Sequence, residues 1–273
     1  MTSVGTFNIR LFPDRDTRPA DVAERLTELD ADVVMVQEIR DPSALHAMLD
    51  GIAAVGGRRY GVSLGPMCRT SELRLGVLFD RARYALVQQR PQKELDPEGR
   101  CSCRDGHPPA LLAVLERADG IRLGAMSVHL LFGARSWQFC ARRGQWEQLV
   151  ASIDRLVQEL QIPLVVGGDF NSTGYAEDDL GERTFIEQTV ADAGLTLATA
   201  GLRCTAYWRP NRRLKDYVPS MLDHVLVSGA AVSGAEVLGM CATLAGRTCP
   251  GDEANPDFHH VSDHCPVRVD IAL

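Results

Sequence analysis

The sequence has no long hydrophobic run and no excess of positive charge, and each absence limits what the protein does. No uninterrupted apolar stretch approaches the roughly 20 residues of a membrane-spanning helix, which excludes a membrane-spanning chain. A net charge of −7 argues against holding nucleic acid by bulk positive charge, although a local basic patch is compatible with it. There is no internal repeat or low-complexity tract. With 45% hydrophobic and 24% charged residues, the composition is that of a globular protein and excludes disorder or coiled coil throughout.

Targeting and metal-binding signals are also scarce. Residues 1–8 lack the basic and apolar segments of a signal peptide, which favours a cytoplasmic protein; a signal peptide removed before Met1 would make it a secreted one. Eight cysteines are many, with the most suggestive spacings at Cys101–Cys103 and between Cys241 and Cys249. Ordinary thiols are favoured over a disulfide framework, and no second pair of cysteines supports a zinc site.

The apolar pattern predicts helices and strands that alternate at the start and then become strand-rich. The predicted strands are Val4–Ile9, Val33–Gln37, Leu73–Phe79, Tyr84–Val87, Ala110–Leu115, Ile121–Val128, Leu164–Gly168, Leu222–Val227 and Val267–Ile271. Helices are predicted over Arg18–Leu29, after Pro42 and over Gln145–Leu160, and a loop over Gln88–Pro109. We therefore expect residues 1–273 to form one α/β (α+β) domain, a layered sandwich rather than a doubly wound sheet.

Polar side chains follow the apolar strands at six places. They are Asn8, Glu38, His129, Asp169 with Asn171, Asp223, and Asp263 with His264. Each alone is equally compatible with a turn cap. Gly167 and Gly168, before Asp169, are interpreted as allowing the backbone to approach a ligand closely.

Together these residue types indicate metal-assisted phosphoester cleavage. Carboxylates such as Glu38, Asp169 and Asp263 are the hard oxygen ligands that Mg²⁺ takes. The amides of Asn8 and Asn171 can donate to anionic oxygens without adding charge. Histidines such as His129 and His264 can transfer protons near neutral pH.

The same segments, in order along the chain, resemble the motifs of the endonuclease/exonuclease/phosphatase superfamily. They are Thr6-Phe7-Asn8-Ile9, Val36-Gln37-Glu38, Ser127-Val128-His129-Leu130, Gly168-Asp169-Phe170-Asn171, Leu222-Asp223-His224-Val225 and Ser262-Asp263-His264-Cys265-Pro266-Val267. That group includes deoxyribonuclease I, exonuclease III-like apurinic endonucleases, sphingomyelinases and inositol-polyphosphate 5-phosphatases. The resemblance implies a four-layered α/β/β/α sandwich of two packed mixed sheets, with helices outside and the active site at one edge.

The resemblance also implies metal ligands. Glu38 is expected to bind Mg²⁺, or Mn²⁺, directly, with Asn8 beside it and Asp263 as an outer or second ligand.

It further implies catalytic roles. Asp169 and Asn171 would position the attacking water and hold a phosphoryl oxygen, and His264, oriented by Asp223, would contact the scissile phosphate. Water activated by Asp169 or His264 would attack in line. His129 would protonate the leaving oxygen, and Glu72 is the candidate that orients it. Arg74 competes with Glu72 as a phosphate-contacting residue.

Two stretches rich in basic and aromatic residues border the expected site. In Arg203–Tyr217 the candidates for substrate binding are Tyr207, Trp208, Arg209, Arg212 and Arg213, although a solvated loop with packed aromatics explains the pattern equally well. The second stretch is Arg135–Arg143, with Trp137 and Phe139. These stretches favour nucleic acid as the substrate, with DNA ranked first and RNA second. A phosphatase or phosphodiesterase for inositol phosphates or sphingomyelin is the alternative, and a binding module without turnover is the third.

Overall fold

Fourteen strands and six α-helices are present in the computed structural model, which describes residues 1–68, 71–95, 109–173, 181–209, 213, 215–251 and 255–273. In chain order the strands are β1 (Thr2–Phe12), β2 (Val33–Ile39), β3 (Tyr60–Leu64), β4 (Arg74–Asp80), β5 (Tyr84–Pro91), β6 (Ala110–Arg117), β7 (Arg122–His129), β8 (Leu164–Asp169), β9 (Thr196–Leu197), β10 (Ala206–Trp208), β11 (Val218–Ser220), β12 (Asp223–Ser228), β13 (Ala231–Val237) and β14 (Val267–Ala272). The helices are α1 (Pro19–Leu29), α2 (Pro42–Ala54), α3 (Ser136–Leu160), α4 (Glu182–Asp192), α5 (Gly239–Leu244) and α6 (Pro256–His260).

Two mixed sheets of six strands each form the centre of the fold. One sheet has the order β13-β14-β1-β2-β4-β3 and the other β5-β6-β7-β8-β12-β9, while β10 and β11 form a separate ribbon. Apolar side chains from both sheets, including Met35 and Val165, make one core between them. Helices α1 and α2 cover the outer face of the first sheet, and α3 and α4 that of the second. The four-layered α/β/β/α sandwich is therefore confirmed.

The two glycines before Asp169 serve packing between strands and sheets. A Cβ atom on Gly167 would collide with the methyl group of Met35 from the opposite sheet, and one on Gly168 with the carbonyl of Val128 on β7. Both positions need glycine because neighbouring atoms of the same chain lie too close for a Cβ atom. The interpretation that they admit a ligand is corrected accordingly.

Strand direction brings the polar strand ends together at one edge. β1 and β2 are parallel, with Asn8 opposite Gln37, and β7 and β8 are parallel, with His129 opposite Asp169. β12 is antiparallel to β8, so its first residue, Asp223, also lies opposite Asp169. Since the two sheets stack face to face, these ends meet across the top of the central core.

Several elements differ from the predicted ones. Helix α3 begins at Ser136, nine residues before the predicted start, because buried Arg142 and Gln145 hide its apolar periodicity. Five strands and three helices were not predicted: β3, β9, β10, β11, β13, α4, α5 and α6. All seven residues of the edge strand β13 are exposed or half-buried. Strand β5 continues to Pro91 into the predicted loop, whose residues 96–108, with Cys101 and Cys103, lie outside the described residues. Within the described ranges, none of the helices has the length and apolar character to cross a membrane.

Candidate active site

Two carboxylates at the sheet edge are held together by one amide. Nδ2 of Asn8 donates to Oε1 of Glu38 at 3.0 Å and to Oδ2 of Asp169 at 3.1 Å. Oδ1 of Asn8 accepts the backbone amide of Arg10 at 3.0 Å, which fixes the amide in this orientation. In this arrangement the Asn8 amide nitrogen bridges the two carboxylates. Its oxygen already accepts the Arg10 amide and does not act as a metal ligand.

The backbone at the end of β2 turns Glu38 into the site. Glu38 has a φ of 64°, in the left-handed region that a non-glycine residue seldom adopts. Its second oxygen, Oε2, accepts the backbone amide of Leu11 at 3.0 Å. Unusual backbone of this kind clusters at functional sites, where the surrounding structure holds it in place.

Two histidines face the same oxygen of Asp169. Nε2 of His129 lies 3.4 Å from Oδ2 of Asp169 and 3.9 Å from Oε1 of Glu38. Nε2 of His264 lies 3.6 Å from that same Oδ2. The structure thus brings together residues from β1, β2, β7 and β8 and from the segment before β14, which are up to 256 positions apart in the chain.

His264 is paired with Asp223 on its other side. Nδ1 of His264 lies 2.8 Å from Oδ2 of Asp223, which is fully buried. Burial lowers the pKa of His264, but the Asp223 and Asp169 carboxylates outweigh burial and raise it well above its usual value. Burial also raises the pKa of Asp223 to about 6, against the opposing effect of His264. The contact between them therefore favours an imidazolium beside a carboxylate over two neutral groups.

Asn171 is fixed by the loop after β7. Its side-chain Nδ2 donates to the carbonyl of Leu130 at 3.1 Å, and its backbone amide donates to Oδ1 of Asp169 at 2.8 Å. Its φ of 52° places it in the left-handed region as well. Asn171 therefore joins the ends of β7 and β8 beside His129.

Ser262 and Thr205 hold the backbone around the site. Neither residue was predicted to do so from the sequence. The hydroxyl of Ser262 donates to the carbonyl of Asn8 at 2.8 Å and accepts the backbone amide of His264 at 3.1 Å. The hydroxyl of Thr205 accepts the backbone amide of Asp223 at 2.9 Å. Ser262 stands next to Asp263-His264, which is a local signal; Thr205 gives none, because its contact depends on tertiary structure.

Two groups of side chains in the described residues have the donor atoms and spacing for a metal ion. One is Glu38, His129 and Asp169, and the other is Asp169, Asp223 and His264. The paired carboxylates of Glu38 and Asp169 suit a hard divalent cation such as Mg²⁺. In the second group Asp223 and His264 already bind each other, which makes the first group the better fit.

Asp263 does not belong to either group. It is half-buried, and burial raises its pKa; His264 opposes this rise and Glu38 adds to it. Its backbone carbonyl accepts the amide of Tyr207 at 2.8 Å. The structure thus places Asp263 within the field of Glu38 but outside the cluster that could bind a cation directly.

Glu72 and Arg74 lie just before and at the start of β4. Glu72 is exposed, with a φ of 61°, and no contact with His129 is present among the described residues. Nη1 of Arg74 donates to the carbonyl of Arg40 at 3.1 Å. Glu72 is thus not held against His129 in the described residues, while the phosphate-contacting role of Arg74 stays a prediction.

The Arg203–Tyr217 stretch is only partly available to a substrate. Tyr207 is buried and its hydroxyl donates to the carbonyl of Arg247 at 2.8 Å, so its ring is not presented for stacking. Trp208 is half-buried, while the guanidinium of Arg209 lies 4.5 Å from the ring centroid of Tyr217. Arg213 is exposed, and Arg212 lies outside the described residues.

The Arg135–Arg143 stretch is the start of α3 rather than a loop. Phe139 and Arg142 are buried, whereas Trp137 is 56% exposed. Phe132, in the segment joining β7 to α3, is 71% exposed. These two aromatics follow His129 closely in the chain and are the ones that solvent reaches.

A buried ion pair supports the loops on this side of the site. Nε of Arg142 donates to Glu182 at 2.7 Å, and Nη1 donates to the carbonyls of Leu131 at 3.0 Å and Gly133 at 2.6 Å. Nη2 donates to the hydroxyl of Thr173 at 3.3 Å. Arg142 thus connects the loop after His129 with the loop after Asn171. This role could not be predicted from the sequence, since an arginine on an amphipathic helix usually faces solvent.

Comparisons with known structures agree with this fold. The chain is similar to TDP2 from D. rerio, complexed with a single-stranded DNA product (14% identity, TM-score 0.67, covering 100% of this chain and 99% of that one). It is similar to the human Nocturnin catalytic domain with a bound sulfate anion (17% identity, TM-score 0.64, 99% and 94%). It is also similar to a mannosyl-6-phosphatase from Bacteroides thetaiotaomicron (16% identity, TM-score 0.66, 100% and 100%).

Sequence comparison identifies the family. No curated protein matches the sequence. The family model described as Endonuclease/Exonuclease/phosphatase family matches residues 5–264, nearly the whole chain and all six motifs up to His264. The chain therefore belongs to the endonuclease/exonuclease/phosphatase family and has the fold of a phosphoester hydrolase.

Proposed function

We propose that the protein is a Mg²⁺-dependent phosphodiesterase that hydrolyses DNA, and RNA as well. The observation that carries this proposal is the environment of Asp169 Oδ2, which lies within 3.1–3.6 Å of Asn8 Nδ2, His129 Nε2 and His264 Nε2. One anionic oxygen between two imidazoles and beside a second carboxylate provides groups for accepting, donating and holding protons around a phosphate.

Glu38 would bind the cation directly, and the neighbouring Asp169 carboxylate would add negative charge beside it while its Oδ2 remains free to take a proton. When bound there, Mg²⁺ would supply positive charge that polarises the phosphate and stabilises the leaving oxygen. Mn²⁺, which takes similar ligands, would substitute for it.

Three side chains would supply the base, the contact to the phosphoryl oxygen and the proton for the leaving oxygen. Asp169 Oδ2 would accept the proton of the attacking water, because it lies among the donors of the site, while Nδ1 of His264 is engaged by Asp223, a contact that favours the protonated imidazole. The Nε2–H of His264 would then hold a phosphoryl oxygen as negative charge builds on it. His129 Nε2 would donate a proton to the leaving oxygen.

A polymeric substrate with aromatic bases is supported by the exposed aromatics. Phe132 and Trp137, 71% and 56% exposed, lie three and eight residues after His129 in the chain, and bases could stack on them. Arg209, above the ring of Tyr217, adds positive charge on the ribbon side. This local rim would offset the overall negative charge of the chain.

A substrate panel tests the proposal directly. Supercoiled plasmid, linear duplex, abasic duplex, single-stranded DNA, RNA, sphingomyelin, inositol polyphosphates and a sugar phosphate would be incubated with Mg²⁺ and with EDTA. We expect metal-dependent cleavage of nucleic acid that is lost in Asp169→Asn and His264→Ala. Cleavage of only the lipid or the small phosphoesters would replace the nuclease assignment, and full activity of both variants would remove the proposed mechanism.

A further inference from the structure

Three buried sulfur atoms lie behind the His264–Asp223 pair. Cys241, in α5, forms a disulfide with Cys265, and the thiol of Cys204 lies 2.7 Å from Sγ of Cys241. The three side chains are 2%, 1% and 1% exposed, respectively. This disulfide also corrects the expectation of ordinary thiols, and Cys249 is not its partner. Cys241 thus has two sulfur neighbours within reach, and it can form a disulfide with only one of them at a time.

Both neighbours of Cys241 are joined to the proposed active site. Cys265 follows His264 directly, and its backbone amide donates to the carbonyl of Thr205 at 2.8 Å. Cys204 precedes Thr205, whose hydroxyl accepts the amide of Asp223 at 2.9 Å. A disulfide to Cys265 therefore fixes the segment that carries His264, whereas one to Cys204 fixes the segment that supports Asp223.

A purely structural disulfide does not account for the third thiol. Two cysteines are enough for such a bond, and an apolar side chain would fill the third position without placing a thiol against a disulfide. A third cysteine in contact with the first is what an alternative disulfide partner requires, since thiols and disulfides exchange by attack of one sulfur on another.

We propose that Cys204, Cys241 and Cys265 form a redox-active thiol site in which Cys241 takes either Cys265 or Cys204 as its disulfide partner and thereby controls the positioning of His264. The part that concerns catalysis rests on the proposed function; the pairing of the cysteines does not. The oxidant is a small-molecule disulfide such as oxidised glutathione.

The oxidation balances in two exchange steps. The Cys241 thiolate attacks one sulfur of oxidised glutathione and releases one glutathione thiolate. The thiolate of Cys265 or Cys204 then attacks the Cys241 sulfur of the mixed disulfide and releases the second, and the two protons lost by the protein appear on the two glutathione thiols. Burial raises the pKa of the Cys204 thiol to about 12, so little of it is ionised at neutral pH and Cys204 attacks slowly, at the mixed disulfide and at a completed disulfide alike. Cys265 is therefore the partner in the wild type, and Cys204 takes its place where Cys265 is absent.

Disulfide mapping tests the pairing. The wild type and the variants Cys204→Ser, Cys265→Ser and Cys140→Ser, the last an exposed cysteine outside the cluster, would be reduced with dithiothreitol and reoxidised with oxidised glutathione. Remaining thiols would be blocked, and the linked peptides identified by mass spectrometry. We expect a Cys241–Cys265 link in the wild type, Cys204→Ser and Cys140→Ser, and a Cys204–Cys241 link in Cys265→Ser.

Three results would refute the proposed redox site. They are the absence of a Cys204–Cys241 link in folded Cys265→Ser, a link from Cys241 to Cys249 instead, or a stoichiometric metal ion on these thiols in the reduced protein. Folding of each variant would be checked by circular dichroism, with Cys265→Ala as the replacement if the serine variant does not fold.

A kinetic measurement tests the effect on His264. We expect oxidised wild type to have a several-fold higher kcat on a phosphodiester than reduced wild type, with a displaced pH profile of kcat, and no such difference in Cys241→Ser. Equal kcat values in both redox states would refute control of His264. Absence of any hydrolysis would refute the proposed function instead, while the peptide map still decides the pairing.

Discussion

Nδ1 of His264 lies 2.8 Å from Oδ2 of Asp223, on the side of the imidazole that faces away from Asp169. Asp223 therefore fixes the ring orientation and favours its charged form. We expect Asp223→Asn to lower kcat by on the order of 10²–10⁴-fold, because the amide no longer stabilises the imidazolium. Steady-state kinetics on the cleaved substrate would measure this loss.

The matched control is Asp119→Asn, which removes a carboxylate that is ion-paired with Arg117 on the surface. It should leave kcat unchanged. An Asp223→Asn enzyme with the kcat of the wild type would show that the pair has no catalytic role, provided that thermal unfolding shows the same fold.

Glu38 should determine the affinity for the divalent cation. Glu38→Gln keeps the shape of the side chain and the oxygen that accepts from Leu11, but it removes a charge from the carboxylate pair. We expect metal affinity to fall more than about tenfold. Calorimetric titration of Mg²⁺ or Mn²⁺ would measure it without requiring turnover.

Glu72→Gln provides the comparison for that experiment. Glu72 is exposed and is not in contact with His129 among the described residues, so both metal affinity and kcat should match the wild type. A large loss of kcat in Glu72→Gln would restore the orienting role that the resemblance implied.

The strand ends were predictable because their chemistry is local. A buried strand followed by a carboxylate, an amide or a histidine is visible in the sequence, and parallel β1–β2 and β7–β8 pairs bring such ends to one edge. The position of Asn8 between Glu38 and Asp169 was not predictable, because it depends on the orientation of an amide across two sheets.

The wrong predictions concern residues whose role depends on whether the side chain is buried. Tyr207 and Arg142 both occur in basic-aromatic stretches that are typical of a solvent-exposed rim, yet both side chains are buried. Residues that support others through backbone groups, such as Thr205, give no pattern at all. Periodicity also does not reveal which of two cysteines reaches Cys241, since that choice depends on where α5 packs.

Removing one partner of the buried Arg142–Glu182 pair should strongly destabilise the protein. Both side chains are almost fully buried, so Arg142→Met removes the guanidinium charge that faces the Glu182 carboxylate, together with its hydrogen bonds to Leu131 and Gly133. We expect this variant to lower the free energy of unfolding by about 3–5 kcal/mol, and the double variant with Glu182→Met to recover much of the loss. Urea denaturation would measure both.

An exposed ion pair supplies the reference for the Arg142 variants. Arg122 and Glu116 form a pair with 51% and 37% exposed side chains, and Arg122→Met should cost about 1 kcal/mol or less. Similar losses for Arg122→Met and Arg142→Met would mean that burial does not strengthen the Arg142 pair.

His224 should make the fold sensitive to acid. Burial lowers the pKa of His224 from 6.5 to about 4, so between these values the unfolded chain binds a proton that the folded protein does not. The stabilising effect is fully present above the unfolded pKa and is lost as the pH falls from about 6.5 towards 4, by up to about 3 kcal/mol.

The measurement is the free energy of unfolding as a function of pH for the wild type and His224→Gln. The variant lacks the titrating group, so its stability should fall less steeply over that interval. Parallel curves would contradict the assignment of this proton uptake to His224.

Trp137 should contribute to substrate binding rather than to the chemical step. It is 56% exposed at the start of α3, and loss of one stacked base typically costs about 1–3 kcal/mol of binding. We expect Trp137→Ala to raise KM for an oligonucleotide by about fivefold or more with little change in kcat. Val55→Ala, which trims an 85% exposed side chain at the end of α2, is the control and should change neither constant. A Trp137→Ala enzyme with lower kcat and unchanged KM would instead place this ring against the reacting groups, because uniform binding energy appears in KM and not in kcat.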